Sequence, residues 1–82
     1  MHELGIANSI LEAVRVEAER RPGALPVKVA VRIGEMSGVN PDALAFSFRA
    51  LTSGTEWQRL TLEVHTTSAD ELQLAYLEME EP

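Results

Sequence analysis

Val27-Lys28-Val29-Ala30-Val31-Arg32-Ile33, continuing as Gly34-Glu35-Met36-Ser37-Gly38-Val39-Asn40-Pro41-Asp42, is the stretch that decides the fold of this chain. Its opening run alternates branched apolar residues with Lys28, Ala30 and Arg32, the period-two pattern of a strand with one buried face. Gly34 to Val39 then turns the chain. Asn40-Pro41-Asp42 reads as a helix N-cap, a first helical residue that lacks an amide hydrogen, and an acidic group matched to the helix dipole.

Upstream, Ile6, Ile10, Leu11, Val14 and Ala18 recur at helical spacing between Leu4 and about Arg21, while Glu12, Arg15, Glu17, Glu19 and Arg20 fall largely elsewhere. Pro22-Gly23-Ala24-Leu25-Pro26 ends that helix, because proline cannot donate the backbone bond and restricts the residue before it. Downstream, the second helix is expected to run to about Thr52, packing through Leu44, Phe48 and Leu51 and less regularly Phe46, with Gly54 as its stop. Trp57 is expected to pack at the edge of the core.

The last third reads as β. Leu60, Leu62 and Val64 alternate with Thr61, Glu63 and His65, which places His65 on a wet face. Thr66-Thr67-Ser68-Ala69-Asp70 predicts a short turn of tight-hairpin type, and Glu71 to Glu80 a further strand. Leu72, Leu74 and Tyr76 have one parity while Ala75, Leu77 and Met79 have the other, which predicts a bulge near Ala75 or two partly covered faces. Glu78, Glu80 and Glu81 read as a solvated acidic tail. The order helix, strand, helix, strand, strand predicts an α+β fold, with two helices packed on one face of a three-stranded mixed sheet. Residues 1–82 form one domain on this reading.

Composition narrows the function. The net charge of −6 and the scatter of the seven Lys and Arg residues argue against nucleic acid, whose phosphates demand clustered cations. There is no cysteine, so disulfides, thiolate metal sites and cysteine nucleophiles are excluded. No run approaches the ~20 apolar residues that span a bilayer, and the start lacks a signal-like basic and apolar sequence. A cytoplasmic location without a membrane partner is the expectation. Two histidines sent to unlike places cannot build a serine–histidine–aspartate set, and no glycine-rich phosphate loop is present, so an enzyme is not expected.

Met1-His2-Glu3 carries the chemistry. An amine one residue before a histidine can close a chelate through the amine, the His2 main-chain nitrogen and the imidazole, leaving a fourth position for another donor. Such planar, nitrogen-rich geometry suits Ni(II) or Cu(II) better than tetrahedral Zn(II). The bland alternative is an exposed histidine near a chain end.

Together with that opening and Leu4, the segments Ile10-Leu11-Glu12, Val31-Arg32-Ile33-Gly34-Glu35-Met36-Ser37-Gly38-Val39 and Pro41-Asp42-Ala43-Leu44 resemble the HypA/HybF family of nickel-insertion proteins. Phe46, Phe48, Leu51, Thr52, Gly54-Thr55 and the ending Leu77-Glu78-Met79-Glu80-Glu81 extend the resemblance over nearly the whole chain. It implies a metallochaperone that delivers Ni(II) to nickel–iron hydrogenase, and in some organisms urease, with a HypB-like GTPase and the hydrogenase large subunit as partners. The implied metal residues are Met1, supplying its amine, His2 and Glu3, with Asn40 where some family members place an aspartate. A neutral amide is a poorer donor, so water, Asp42 or Glu35 stand as alternative fourth ligands.

The family normally inserts a zinc module with two Cys-x-x-Cys pairs between the last two strands. This chain has only residues 66–70 there, so no zinc is expected. Against the nickel-carrier reading stand a non-metal interaction module that keeps the scaffold, and a homodimer built through an open sheet edge.

Overall fold

The computed structural model describes residues 2–81 of the chain. The elements are α1 (Glu3–Arg20), β1 (Leu25–Gly34), one 3-10 turn (Glu35–Ser37), α2 (Pro41–Thr52), β2 (Thr61–Thr67) and β3 (Leu72–Glu80). The sheet order is β2-β1-β3, with β1 parallel to β2 and antiparallel to β3. The expected α+β architecture, two helices over a mixed three-stranded sheet, is therefore what forms.

β1 is the central strand, and its composition follows from that place. Val29 and Val31 are fully buried and Ile33 nearly so. They meet Ala7, Ile10 and Val14 of α1 and Leu44 and Phe48 of α2 in one cluster, closed by Val39 and Leu60. Leu44 is fully enclosed, so truncating it to alanine should cost about 2–5 kcal/mol, the range for a large core side chain. Trp57 packs at the edge of this cluster as expected.

The parity change in the last strand resolves as a bulge. Val29 pairs with Leu77 and Ala30 with Tyr76, but Val31 pairs with Leu74, leaving Ala75 as the extra residue. The bulge puts Leu72 and Leu74 on the same face as Leu77 and Met79. A second register shift leaves Val27 between the pairs Pro26–Met79 and Lys28–Glu78. Pro26 is thereby buried and Val27 only half-buried, the reverse of the simple alternation. Proline suits this position because a bulge asks less of the ladder for a main-chain donor.

Three other expectations change. Phe46 is 75% exposed on α2 and takes no part in the core. Glu78 and Glu80 belong to β3 and are not a free tail, while Glu81 pairs with Arg21 at 3.4 Å. Ala30, assigned to the wet face, is fully buried because its neighbours across the sheet, Glu63 and Tyr76, meet above it.

The connection between β2 and β3 is also different from the expected tight hairpin. These strands are not neighbours; they flank β1, so residues 68–71 must cross the end of the central strand. Two strand spacings are about 10 Å, a span that so short a segment covers only by passing close. It passes directly over Gly34, whose N–H donates to the Glu71 carbonyl at 2.8 Å. A Cβ on Gly34 would lie 1.7 Å from the Ala69 carbonyl oxygen, so only glycine fits beneath this crossing.

Candidate metal centre

The turn after β1 is built residue by residue. The Ser37 hydroxyl donates to the Gly34 carbonyl at 2.7 Å and accepts from the Val39 N–H at 3.2 Å. Gly38 then takes φ +79°, a left-handed conformation that costs glycine little. This geometry delivers Asn40 to the start of α2, where its side-chain oxygen accepts from the Asp42 and Ala43 N–H groups at 2.9 and 3.1 Å. The predicted N-cap is thus formed, with Pro41 in the first turn.

The same turn joins the two helix starts. The Asn40 main-chain N–H donates to Glu3 Oε2 at 3.1 Å. That bond is the first cause holding the Glu3 carboxyl below the usual carboxylate range. Two positive helix ends therefore converge on one carboxylate. His2 is the N-cap residue of α1, makes no side-chain cap bond, and is exposed. The Ile6 N–H donates to the His2 carbonyl at 3.1 Å, so the amides of His2 and Glu3 precede the helical ladder.

Of the expected metal residues, the structure brings Glu3 and Asn40 into contact, with His2 adjacent to Glu3 at the start of α1. Met1 lies outside the described residues. His2 also borders an apolar groove of about 470 Å³ between α1 and β3, lined by Ile6, Ile10, Leu72 and Leu74 among others. Among the described residues no three histidine, aspartate or glutamate side chains converge to hold an ion. A metal bound here would therefore be held largely by main-chain nitrogen with the His2 imidazole. Neither Asp42 nor Glu35 makes a side-chain bond toward Glu3 or His2 among the described residues.

A polar cluster that sequence reasoning missed covers the face of the sheet away from the helices. Glu63 Oε1 accepts from the Tyr76 hydroxyl at 2.9 Å and lies 2.5 Å from His65 Nε2, while its Oε2 faces Lys28 Nζ at 3.2 Å. The Tyr76 bond is the leading cause lowering the Glu63 carboxyl, and the same bond raises the Tyr76 hydroxyl. Lys28 is raised in turn, chiefly by its bond to Glu63. The signal was a small residue, Ala30, lying between two long polar ones, but it is readable only once β1 is known to be central.

The family model for hydrogenase/urease nickel incorporation, the HypA metallochaperone, matches residues 1–74. The hydrogenase maturation factor HypA of Rhizobium leguminosarum bv. viciae is 39% identical over 71 residues, covering 85% of this chain and 62% of that protein. The corresponding factor of Trichodesmium erythraeum is 41% identical over 64 residues, covering 78% and 54%. The chain thus spans between half and two-thirds of the length of these relatives. Its fold matches the solution structure of the nickel metallochaperone HypA from Helicobacter pylori with a TM-score of 0.82 at 16% identity, over 100% of both chains. With the family model spanning everything up to the first residues of β3, and with relatives well above chance identity, the chain belongs to the HypA family.

Proposed function

We propose that this chain is a nickel carrier that binds Ni(II) at His2, as the nickel-handling unit of a hydrogenase maturation factor, and passes it to a client enzyme. Family membership supports the nickel assignment. The observation that carries the site is the position of His2 and Glu3 ahead of the hydrogen-bonded ladder of α1. Their amides have no intrahelical acceptor, so a metal can displace an amide proton without unwinding a turn. An amide anion is also favoured at that place, because the N-terminus of a helix stabilises negative charge.

On this reading the His2 imidazole and main-chain nitrogen bind the ion, and Met1 closes the chelate through its amine. Glu3, held by the Asn40 N–H, offsets the remaining charge of the ion and fixes the chelate against the body of the domain. Asn40 contributes through that main-chain bond, its side-chain oxygen being engaged by the helix cap. Nickel is cargo, and the chain acts as a carrier and not as a catalyst. The recipients are a HypB-like GTPase and the hydrogenase large subunit, in the cytoplasm. Among the described residues no helix is long and apolar enough to cross a membrane. A homodimer through an open sheet edge is compatible with this role, since each outer strand has one edge without a strand partner among the described residues.

Calorimetry with Ni(II) tests the reading on three proteins: the native chain, His2→Ala, and a version with extra residues before Met1. Strong binding by the native chain alone is expected. Equal binding by all three would remove His2 and the amine from the site, and no binding by any would leave an interaction module without metal.

A further inference from the structure

Among the described residues, Arg15, Arg20, Arg21, Lys28 and Arg32 each form an ion pair within the chain, whereas Arg49 and Arg59 form none. In a chain of net charge −6, with 13 acidic residues, that is an unexpected place to find cations without partners. Both line the same groove, about 390 Å³ in volume, between the C-terminal half of α2 and the start of β2. Arg49 has a partial local explanation, since it lies in the last turn of α2 and complements the negative end of the helix. Arg59, in the turn before β2, has none.

The groove meets an open sheet edge at Thr61 and Leu62, the start of β2. In the order β2-β1-β3, the outer main-chain groups of β2 have no strand partner. The acid carried on β2 itself, Glu63, is engaged on the opposite face by Tyr76, His65 and Lys28, so it does not neutralise the two arginines. Glu56 lies in a separate recess with Trp57 and Arg15. The other open edge is different in kind. Along β3 the exposed Leu74 faces an apolar groove shared with Leu77 and Met79, and the cation lining it, Arg21, is already paired with Glu81.

We propose that the outer edge of β2 captures an extended acidic segment of a partner protein, which adds as a further strand and sets its carboxylates on Arg49 and Arg59. A strand added there lies about 4.8 Å outside β2, and alternate side chains point to the helix side, beneath the flank of α2. Ala45 and Thr52 are the small groups that leave room for them. Main-chain pairing supplies affinity, and the two guanidiniums select glutamate or aspartate at successive helix-side positions. The surface lies at the C-terminal end of α2, away from the Asn40 end that contacts Glu3, so it stands or falls independently of nickel binding.

A short end-blocked peptide of alternating glutamate and valine is the probe, titrated calorimetrically into the full chain and followed by amide NMR. Binding that weakens as salt rises is expected, with shifts confined to 61–67 and the α2 C-terminus. Arg49→Glu with Arg59→Glu should lower affinity about tenfold or more. Arg20→Glu with Arg21→Glu makes the same change in net charge and should alter it less than about twofold. If the charge reversal unfolds the chain, Arg49→Gln with Arg59→Gln replaces it and should still weaken binding. A peptide N-methylated at every residue keeps its charges but has no N–H to donate from either of its own edges, and it should not bind. The proposal is overturned by any one of four results: no binding of the parent peptide, shifts on β3 instead, equal losses in the two double variants, or undiminished binding of the methylated peptide.

Discussion

The main-chain N–H of Asn40 donates to the carboxylate of Glu3 at 3.1 Å, joining residues that lie 37 positions apart in the chain. Because the donor is main chain, no side-chain change at position 40 deletes it, and the contact is best probed from the other side. Glu3→Ala should release the start of α1 from the turn that follows β1 and weaken Ni(II) binding several-fold, with the core intact. The Glu3 carboxyl is held below the usual range, so its contribution to stability is present above the unfolded value near 4.5 and is lost as pH falls through the folded one. Urea midpoints of native and Glu3→Ala protein should therefore converge in acid. A gap that widens there would contradict the bond.

Gly34 predicts a sharper effect. Adding a Cβ at this position brings it 1.7 Å from the Ala69 carbonyl oxygen, a main-chain atom that cannot rotate away. Gly34→Ala should cost about 3 kcal/mol or prevent folding, at the upper end for overpacking because backbone has to move. Lengthening the 68–71 crossing with glycine residues in the same variant should restore much of the loss, since a looser crossing can rise above the new methyl and each added residue costs little closure entropy. Thermal melts of the two proteins decide the matter; no rescue would place the strain elsewhere.

The elements themselves were legible in the sequence because period and punctuation are local. Alternation marked β1, proline and glycine bounded α1, and Asn40-Pro41 announced α2. What could not be read is strand order. The last two strands look adjacent in sequence, and only long-range pairing shows that β1 lies between them. Three revisions descend from that: the crossing over Gly34, the burial of Ala30 and the polar arch made by Glu63 and Tyr76. At the proposed metal site, His2 and Glu3 were suggested by the chemistry of the Met1-His2-Glu3 sequence. The Glu3–Asn40 contact was not, because a main-chain donor carries no sequence signature.

The arch itself has a pH signature on both sides. The Tyr76 hydroxyl is raised above 10.0 because it donates to Glu63, so its contribution is full below that value and is lost as pH rises through the folded one. Glu63 is lowered below 4.5, so its contribution is present above 4.5 and is lost as pH falls through its folded value. One bond is the leading cause of both. The stability difference between native protein and Tyr76→Phe should accordingly be constant from about pH 6 to 9 and shrink in acid and in alkali. A difference that persists unchanged to pH 11.5 would mean that the phenyl ring packing, not the hydroxyl bond, matters at this position.

Asn40 separates a capping role from a ligand role. Its side-chain oxygen accepts from the Asp42 and Ala43 N–H groups, and aspartate caps helices about as well as asparagine. Asn40→Ala should then cost about 1 kcal/mol in stability, the usual penalty for a lost cap. Asn40→Asp should be nearly neutral in stability and change Ni(II) affinity less than about threefold, because the new carboxylate remains turned to the α2 amides and already has a negative neighbour in Glu3. Nickel calorimetry on the two variants, paired with urea unfolding, distinguishes the roles. A gain in affinity of about tenfold or more in Asn40→Asp, with unfolding unchanged, would put the side chain at position 40 inside the coordination sphere and displace the reading that it acts through its main chain.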